Sequence, residues 1–545
     1  MRSPAPRALL ATASVAVALA AADTYVVVLA LTDMMAGVGL GIDNLQRATP
    51  IISGFLLGYI AVLPLIGRLA DLTERQRVLL ACLAIFVVGS AVTALAVELP
   101  VLVAGRVIQG VGGGGLVPAT LAIVAQLWDR ERRGTPLGVV GAVQELGSVL
   151  GPVLGAAVLA VADGRAIFWL NAVLGVLLAA AVVAVGGGMP SRPRALPVVV
   201  SLVAALVGWL ALAAPEALAT DLTLGVPFVP FGGSSSRVLT PIGVFALLLV
   251  ALAVVLWVHG SWAVLRRADL LGALLLGGAL GCVVLTFAAS DPEKEVVGPL
   301  GFALLPVAAV LAVLYLAHHR RARHPLVPRG VVVGRTRWSL LVSLCVGVAL
   351  VAVIVDVPLL ARLVHTESET VAAFVLVRFL VAVPVGALVG GWSLRRLGDG
   401  LVSGVGLALT AVGLLVMSTW GRGSLAEWSS TVVLAAVGLG IGLALAPVNN
   451  AALADSPEDA HGTASALVVV ARMIGMVVGL ALLTAIGLNQ YYAAVAALPD
   501  QTDSQALLDA AVVQVEYVFR GAAVAAAVGA LASLALGLEG RHRTA

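Results

Sequence analysis

Long apolar runs recur along this 545-residue chain and decide what it can fold into. About sixteen of them are long enough for a helix to cross a hydrocarbon core of roughly 30 Å, at about 1.5 Å per residue. Hydrophobic residues make up 61% of the sequence and charged residues only 11%, which excludes soluble domains with polar surfaces. The sequence therefore predicts an all-α polytopic membrane protein. The runs lie near residues 8–31, 48–70, 77–97, 101–127, 135–161, 166–188, 197–214, 240–264, 268–289, 298–318, 337–361, 369–394, 400–419, 430–453, 461–487 and 512–537.

The first run contains a carboxylate, Asp23, and two interpretations of this run compete. Arg2 and Arg7, the apolar stretch after them and the small residues before Asp23 resemble a cleavable signal peptide. The run nevertheless continues through TYVVVLAL to about Leu31, which gives roughly 24 residues, enough to span a membrane. A retained first helix is therefore favoured over a cleaved leader.

Arginines are concentrated in every second loop, for example in GRLADLTERQR, DRERR and HHRRARHPLVPRG. The positive-inside rule makes this face cytoplasmic, and an even number of spans then places both termini there, in a cell inner membrane. Basic residues confined to such loops do not indicate a nucleic-acid partner. Lys294 is the only lysine, and arginine with abundant Ala, Val and Gly is typical of a GC-rich genome such as that of an actinobacterium.

Glycine positions indicate an internal duplication. Gly138 of the fifth run matches Gly462 of the fifteenth at an offset of 324 residues, and the same offset carries Gly67 onto Gly391. Duplicated halves are common in transporter folds. The sequence predicts a six-helix half at 1–190 and another at 331–545. Between them, 191–330 supplies four more spans.

Several motifs in these halves resemble those of the major facilitator superfamily. GRLADLTERQR resembles its loop signature, LVAGRVIQGVGGG its arginine motif and GSVLGPVLGA its antiporter signature. Asp23 and Thr24 are similar to the acidic motif of the 14-span drug:proton antiporters. DTYVVV, QELGSVLGP and VVVARMIGM resemble most closely the mycobacterial triacylglyceride exporters that work with a lipid-carrying lipoprotein. The runs at 268–318 resemble the usual linker pair, and those at 197–264 are additional.

The resemblance implies a monomeric transporter with the major facilitator fold and extra linker helices. It implies a cytoplasmic gate in which Asp71 pairs with an arginine, Arg68, Arg75 or Arg132. The four-residue glycine spacing in the fifth run itself predicts close approach of a neighbouring helix, and the proline there predicts a bend. From the resemblance, this bend seals one end of the substrate path. The gate residues are Gly67, Arg68, Asp71, Arg75 and Arg132, and the antiporter-motif residues are Gly147, Gly151, Pro152 and Gly155.

Ionisable side chains inside the spans carry the functional signal, because an ionised group at the bilayer centre costs about 2.5–3.5 kcal/mol and normally faces a cavity or a partner. Depth counted along the runs puts Asp23 and Arg106 at a similar level, so they could pair. It puts Glu145 and Arg472 near the midplane, with Arg378 slightly nearer the outer face. Arginine stays protonated, so only the carboxylates can titrate. The resemblance implies proton coupling through Asp23 with Arg106, and through Glu145 with Arg378 or Arg472. Static ion pairs that pin helices together are the alternative.

Few polar side chains mark the predicted substrate path. The possible cavity residues are Gln109, Gln144, Asn449, Asn450 and Asp356. Such sparsity favours an amphiphilic or lipidic cargo. Together with the resemblance it predicts a proton-coupled exporter of hydrophobic or amphiphilic compounds, with lipid export favoured. Multidrug efflux of cationic or lipophilic drugs and a non-transporting sensor or scaffold are the alternatives.

No phosphate-binding loop ending in Gly-Lys-Ser or Gly-Lys-Thr occurs in the sequence, so an ATP-driven pump within this chain is excluded. Catalytic and metal-ligand motifs are also missing, so the sequence predicts no enzyme, no cofactor and no metal site. The expected partners are membrane lipids, protons, the lipidic substrate and, from the resemblance, an extracytoplasmic lipoprotein.

Overall fold

The computed structural model describes residues 5–41, 45–187, 195–221, 223–233, 236–287, 301–364, 369–394, 396–421, 423–499 and 503–537. Within them the regular structure is helical. The α-helices are α1 (Pro6–Gly37), α2 (Leu45–Leu72), α3 (Arg75–Leu95), α4 (Leu99–Leu127), α5 (Gly134–Leu159), α6 (Gly164–Val185), α7 (Ala195–Ala213), α8 (Glu216–Ala219), α9 (Pro241–Gly260), α10 (Trp262–Arg267), α11 (Leu270–Phe287), α12 (Leu304–Arg321), α13 (Gly334–Val364), α14 (Glu369–Leu380), α15 (Ala382–Ser393), α16 (Asp399–Met417), α17 (Trp428–Asp455), α18 (His461–Ala496) and α19 (Ser504–Ser533).

Sixteen segments of the described chain are long and apolar enough to cross a membrane, which confirms the predicted number of spans. Helix α9 continues into α10 as one of these segments, and the end of α14 joins α15 as another. The helices α1–α6 pack mainly on one another, as do α13–α19. We call these two groups the N-terminal and C-terminal bundles.

Glycines allow α5 to lie against α1 at backbone contact. A Cβ atom on Gly147 would lie 2.4 Å from the carbonyl oxygen of Ala18, and one on Gly151 would lie 2.4 Å from that of Ala22. The close approach expected from the glycine spacing is therefore present, with α1 as the neighbour. Pro152 lies within α5 and removes one backbone donor from it.

The C-terminal bundle repeats this packing between α13 and α18. Gly475, which lies 324 residues after Gly151, is so close to α13 that a Cβ atom would lie 2.1 Å from the Leu344 carbonyl oxygen. Gly479 lies against Val348, one turn further along α13. Glycines thus allow close packing of α1 with α5 in the N-terminal bundle and of the equivalent pair, α13 with α18, in the C-terminal bundle.

The two bundles meet through two glycine contacts that the 324-residue offset relates to each other. A Cβ atom on Gly67 of α2 would lie 2.6 Å from the carbonyl oxygen of Gly462 in α18. A Cβ atom on Gly391 of α15 would lie 2.8 Å from Cα of Gly138 in α5. Both contacts lie beside the Arg-rich loops, so the bundles are closed together at the Arg-rich face.

Four candidate spans between the bundles in sequence lie at the bundles' periphery. Helix α11 packs on α2, where Gly277 approaches the carbonyl oxygen of Ala61, and it also contacts α18. The additional helices α7 and α9 pack chiefly on each other. Only 17% of the residues in the apolar stretch of each span are buried. Their loop is held at the opposite face, where the backbone N–H of Arg237 donates to the Glu98 carboxylate at 2.6 Å.

The α1–α5 contact predicts a large effect for a very small substitution. In Gly151→Ala the added methyl group would overlap the Ala22 carbonyl oxygen, and overpacking of this kind costs roughly 1–3 kcal/mol. We expect a lower melting temperature for this variant in detergent solution. Gly208→Ala is the control, because no heavy atom of the described residues beyond its own turn lies within 4 Å of a Cβ placed there. Equal melting temperatures for the two variants would contradict the packing argument.

Candidate functional site

Asp23 of α1 is the centre of a buried hydrogen-bond network. Its Oδ2 atom accepts from Arg106 Nη1 at 2.6 Å, and its Oδ1 atom accepts from Asn171 Nδ2 at 2.6 Å and from Gln109 Nε2 at 2.9 Å. Gln109 Oε1 also accepts from Arg106 Nη1 at 2.6 Å. Asp23 and Arg106 are each only 1% exposed. The carboxylate is thus an ionic partner and a multiple acceptor inside the N-terminal bundle.

The guanidinium of Arg106 is enclosed on its other sides as well. Its Nε atom donates to the Ile51 carbonyl oxygen at 3.3 Å, and the group lies 4.5 Å from the ring centre of Phe55 and 5.7 Å from that of Phe168. Aromatic faces attract a cation, and backbone acceptors complete its coordination. A buried ion pair needs such extra contacts to offset its desolvation.

Sequence reasoning brought Asp23 and Arg106 together but missed other members of the network. Gln109, predicted for the cavity, is instead fully buried beside Asp23, and its Nε2 atom also donates to Ser90 Oγ at 3.0 Å. Asn171 was not predicted at all. Its signal is visible in retrospect, since it is the only amide side chain in α6 and lies among apolar residues after Arg165.

A second ion pair joins the two bundles. Arg472 Nη1 of α18 lies 3.9 Å from Glu145 Oε1 of α5, and both side chains are less than 10% exposed. The structure thus selects Arg472 from the two expected partners of Glu145. Arg378 was wrongly placed near this pair. It donates to the Leu425 carbonyl oxygen at 3.3 Å and to Ser430 Oγ at 3.4 Å, where α16 is linked to α17.

A cavity of about 20 Å³, roughly the space of one water molecule, lies between the bundles beside Arg472. Gln144 and Asn449 line it, and Asn449 Oδ1 is buried without a hydrogen-bond partner in the described part of the chain. Asn450 and Asp356 are not among its lining residues; Asn450 belongs to a network described below, and Asp356 is buried in α13. The remaining lining is mostly aliphatic and includes Val117, Leu121, Leu137, Val140, Val346, Leu445, Val448, Val468 and Val469.

Asp71 closes the Arg-rich face by a contact that differs from the predicted one. Its Oδ1 atom accepts from the backbone N–H of Gly462 at 2.6 Å, and its Oδ2 atom accepts from the N–H and the hydroxyl of Thr463 at 2.8 and 2.6 Å. These N–H groups belong to the first turn of α18, which has unsatisfied donors and a partial positive charge. The carboxylate of one bundle therefore caps a helix of the other.

The arginines predicted to pair with Asp71 have other surroundings. Arg75 Nη1 donates to the Ala122 carbonyl oxygen at 2.6 Å, at the end of α4. Arg132 lines a surface depression together with Arg7 and Asp129. Arg68 Nε is buried and has no hydrogen-bond partner among the described residues. Asp71 therefore takes its hydrogen bonds from the helix terminus, while Arg68 and Arg75 lie near enough to act on it as neighbouring charges.

The bundles meet at the Arg-rich face along two seams, one between α2 and α18 and the other between α5 and the helices α15 and α17. The second seam is closed by residues that sequence analysis did not select for this purpose. Arg133, which precedes α5, donates from Nε to Asn450 Oδ1 at 2.9 Å, and Asn450 Nδ2 donates to Asp399 Oδ1 at 2.6 Å. Arg130 Nη2 lies 3.8 Å from Asp455 Oδ1 at the end of α17. Asp455 also pairs with Arg335 at 3.1 Å. Charged and amide groups of both bundles thus form one continuous network.

Comparison with known proteins decides the family. Residues 13–298 and 270–480 match the model of the Major Facilitator Superfamily. The chain belongs to this superfamily. Membership in a family of transporters also agrees with the predicted absence of enzymatic activity.

Curated relatives narrow the likeness within the superfamily. A triacylglyceride transporter of Mycolicibacterium smegmatis is 36% identical over 560 residues, covering 98% of this chain and 87% of the relative. Another, from Mycolicibacterium hassiacum, is 38% identical over 491 residues, covering 87% and 79%. A third, from Mycobacterium tuberculosis, is 35% identical over 501 residues, covering 89% and 83%. The chain is thus a multi-pass membrane transporter related to triacylglyceride transporters.

Solved structures support the fold alone. The human organic anion transporter MFSD10 superposes with a TM-score of 0.56 at 15% identity, covering 97% of this chain and 100% of that one. The proton:xylose symporter XylE superposes with the same TM-score at 13% identity, covering 96% and 94%. Both proteins are thus similar to this chain in fold and distant from it in sequence.

The enclosure of Arg106 predicts strong energetic coupling within the Asp23 network. Asp23→Asn should lower the free energy of unfolding by about 3 kcal/mol, because it leaves a buried guanidinium without its counter-ion. Adding Arg106→Gln should recover much of this loss. Asp33→Asn, an exposed change in the same helix, is the control. Unfolding in mixed SDS micelles measures the wild type, both single variants, the double variant and the control, and additive effects of the two single changes would contradict the coupling.

The contact of Asp71 with α18 predicts a shift of the bundles. Asp71→Ala removes the cap that joins them, and a loss of about 1.4 kcal/mol would already change the ratio of closed to open protein tenfold. With nitroxide labels at the exposed positions 77 and 459, double electron–electron resonance should then report a longer distance between the two labels. Glu74→Ala, which removes an exposed carboxylate paired only with Arg77 among the described contacts, should leave the distances unchanged. Identical distance distributions for Asp71→Ala and Glu74→Ala would exclude the cap as a clasp.

Proposed function

We propose that this transporter exports a hydrophobic or amphiphilic lipid in exchange for protons, by alternating access between the two bundles. The observation that carries the proposal is the Glu145–Arg472 pair, which joins α5 to α18 beside an aliphatic cavity. We take the Arg-rich face as cytoplasmic, in line with the positive-inside rule. The structure would then be the conformation closed to the cytoplasm.

The two ion pairs respond differently to a rocking motion of the bundles. Asp23 and Arg106 lie in α1 and α4, so rigid-body rotation leaves their hydrogen bonds intact. Glu145 and Arg472 lie in different bundles, so rotation changes the distance between them. Of the two pairs, the second is therefore the better carrier of a cycle in which the bundles alternate.

Proton exchange follows from the chemistry of this second pair. Arginine remains charged in both conformations, so the carboxylate is the group that can take up a proton. A nearby guanidinium stabilises the charged form of a carboxylate, and burial without such a partner acts in the opposite direction. Separation of the bundles would thus load Glu145 with a proton, and their return would release it.

A lipidic substrate is supported by the cavity lining and by the relatives. The cavity has few polar groups, chiefly Gln144, Asn449 and Arg472, among many aliphatic side chains. The curated relatives are named as triacylglyceride transporters. We therefore favour a neutral acyl lipid over a cationic drug as the substrate.

The end of the chain offers a surface for an extracytoplasmic lipoprotein. Helix α18 has 36 residues, which corresponds to about 54 Å and exceeds the roughly 30 Å of the hydrocarbon core. Helix α19 begins at Ser504, soon after α18 ends at Ala496. We propose that this projecting helix pair receives the lipid carrier.

Reconstitution tests the proposed function. Proteoliposomes with an imposed pH gradient are supplied with fluorescent triacylglyceride, and proton movement is followed by a trapped pH dye. Glu145→Gln should reduce gradient-dependent lipid transfer to the level of empty liposomes, because it cannot exchange a proton. Glu131→Gln is the control, since Glu131 is an exposed carboxylate in the loop before α5.

Each result has a distinct meaning. Gradient-driven transfer by Glu145→Gln at the wild-type rate would refute coupling through this residue. Transport of a cationic dye without transport of the lipid would favour the drug exporter. A folded protein that moves neither compound under any gradient would favour the sensor or scaffold.

A further inference from the structure

An exposed group of arginines lies where the linker helices end at the Arg-rich face. Arg266 and Arg267 form the last turn of α10, and Arg320 and Arg321 form the last turn of α12. Arg323 follows directly after α12. All five side chains are exposed, and none of them pairs with a carboxylate of the described residues. We call these five residues the linker arginines.

A buried carboxylate fixes the two helix ends next to each other. Asp269 lies two residues after Arg267, and its Oδ1 atom is 2.7 Å from His318 Nε2 in the last turns of α12. Its Oδ2 atom accepts from the backbone N–H of Leu326 at 2.9 Å, and Oδ1 also accepts from that of Gly272 at 3.1 Å. The end of α10, the start of α11 and the end of α12 therefore meet at one carboxylate.

The same carboxylate does not neutralise the linker arginines. Asp269 is only 8% exposed, and its oxygens are occupied by His318 and by two backbone N–H groups. Its φ angle of 57° lies in the left-handed region, which Asp tolerates better than most residues. This turn directs the chain from α10 into α11 while the carboxylate stays inside. No carboxylate of the described residues compensates the positive charges outside.

Other arginines on this face are used for contacts within the protein. Arg75 donates to a carbonyl oxygen of α4, and Arg133 donates to Asn450. Arg335 pairs with Asp455. The linker arginines differ from these residues because their charge is directed outward, where a ligand can reach it.

The surroundings of the linker arginines match the level of lipid headgroups. The preceding turns of α12 expose Val313, Leu314 and Leu316, which are 50–64% exposed, as expected for a surface that faces acyl chains. Trp262, at the start of α10, is 49% exposed, and tryptophan is typical of the membrane interface. Basic clusters next to a span attract anionic lipids. Guanidinium groups also bind phosphate oxygens in bidentate geometry.

We propose that the linker arginines bind the phosphate headgroup of an anionic phospholipid, in the leaflet on the Arg-rich side of the membrane. The lipid lies at the junction of α10 and α12, with its acyl chains along the exposed apolar face of α12. This site is separate from the transport path. The proposal holds whether or not the transported compound is a lipid.

Native mass spectrometry of the full-length protein tests the proposal. Phosphatidylglycerol and phosphatidylcholine are titrated separately onto delipidated protein in detergent. Wild-type protein should bind phosphatidylglycerol more tightly. Arg266→Gln with Arg320→Gln should weaken that binding by roughly tenfold or more, given the usual contribution of each basic residue near anionic lipid. The variant should bind phosphatidylcholine as wild type does.

A matched control separates a defined site from general attraction. Arg7→Gln with Arg77→Gln removes the same charge from exposed positions of the same face, and we expect binding within about twofold of wild type, because distant exposed charges are screened. Equal losses for the two double variants would overturn the proposal, as would equal wild-type affinities for the two lipids. Displacement of phosphatidylglycerol by millimolar inorganic phosphate would show that free phosphate is the ligand, and it would also overturn it.

Discussion

In a membrane, two helices can come to backbone contact only where both lack bulky side chains, since no hydrophobic force drives apolar surfaces together there. Glycine meets this condition at the places that give the protein its shape. It joins α5 to α1 and α18 to α13 within the bundles, and it joins α2 to α18 and α5 to α15 between them. Contacts within the bundles make each a rigid unit. The glycine contacts between the bundles lie beside the Arg-rich loops, so separation there would leave the packing within each bundle intact.

This division gives the charged residues their different functions. A pair buried inside one bundle, such as Asp23 with Arg106, has its partners fixed by four further contacts and stabilises a rigid unit. A pair that joins the bundles has fewer additional contacts and a longer separation, 3.9 Å for Glu145 and Arg472. A low-dielectric interior makes both pairs sensitive to loss of a partner. Only the second is exposed to that loss by the motion of the bundles.

The fold was largely predictable because apolar length and glycine spacing are local properties of the sequence. Depth along a span was also predictable, and it brought Asp23 to the level of Arg106. The direction in which a side chain points around its helix was not predictable. For this reason Arg378 was expected near Glu145, although it faces the loop before α17. The cap formed by Asp71 was missed for another reason. Its partners are backbone N–H groups, which are present at every position and leave no mark in the sequence.

The two seams of the Arg-rich face are closed by different chemistry, so salt affects their contacts differently. At one seam Asp71 accepts hydrogen bonds from the first turn of α18, and at the other Arg130 lies near Asp455 with its side chain 44% exposed. Ions of the solution screen an exposed pair of charges much more than hydrogen bonds at a half-buried helix end. Rising salt therefore weakens the Arg130–Asp455 contact, while the buried hydrogen bond between Arg133 and Asn450 holds the same seam. The exposed part of this seam thus responds to the ionic strength at the Arg-rich face, and its buried part does not.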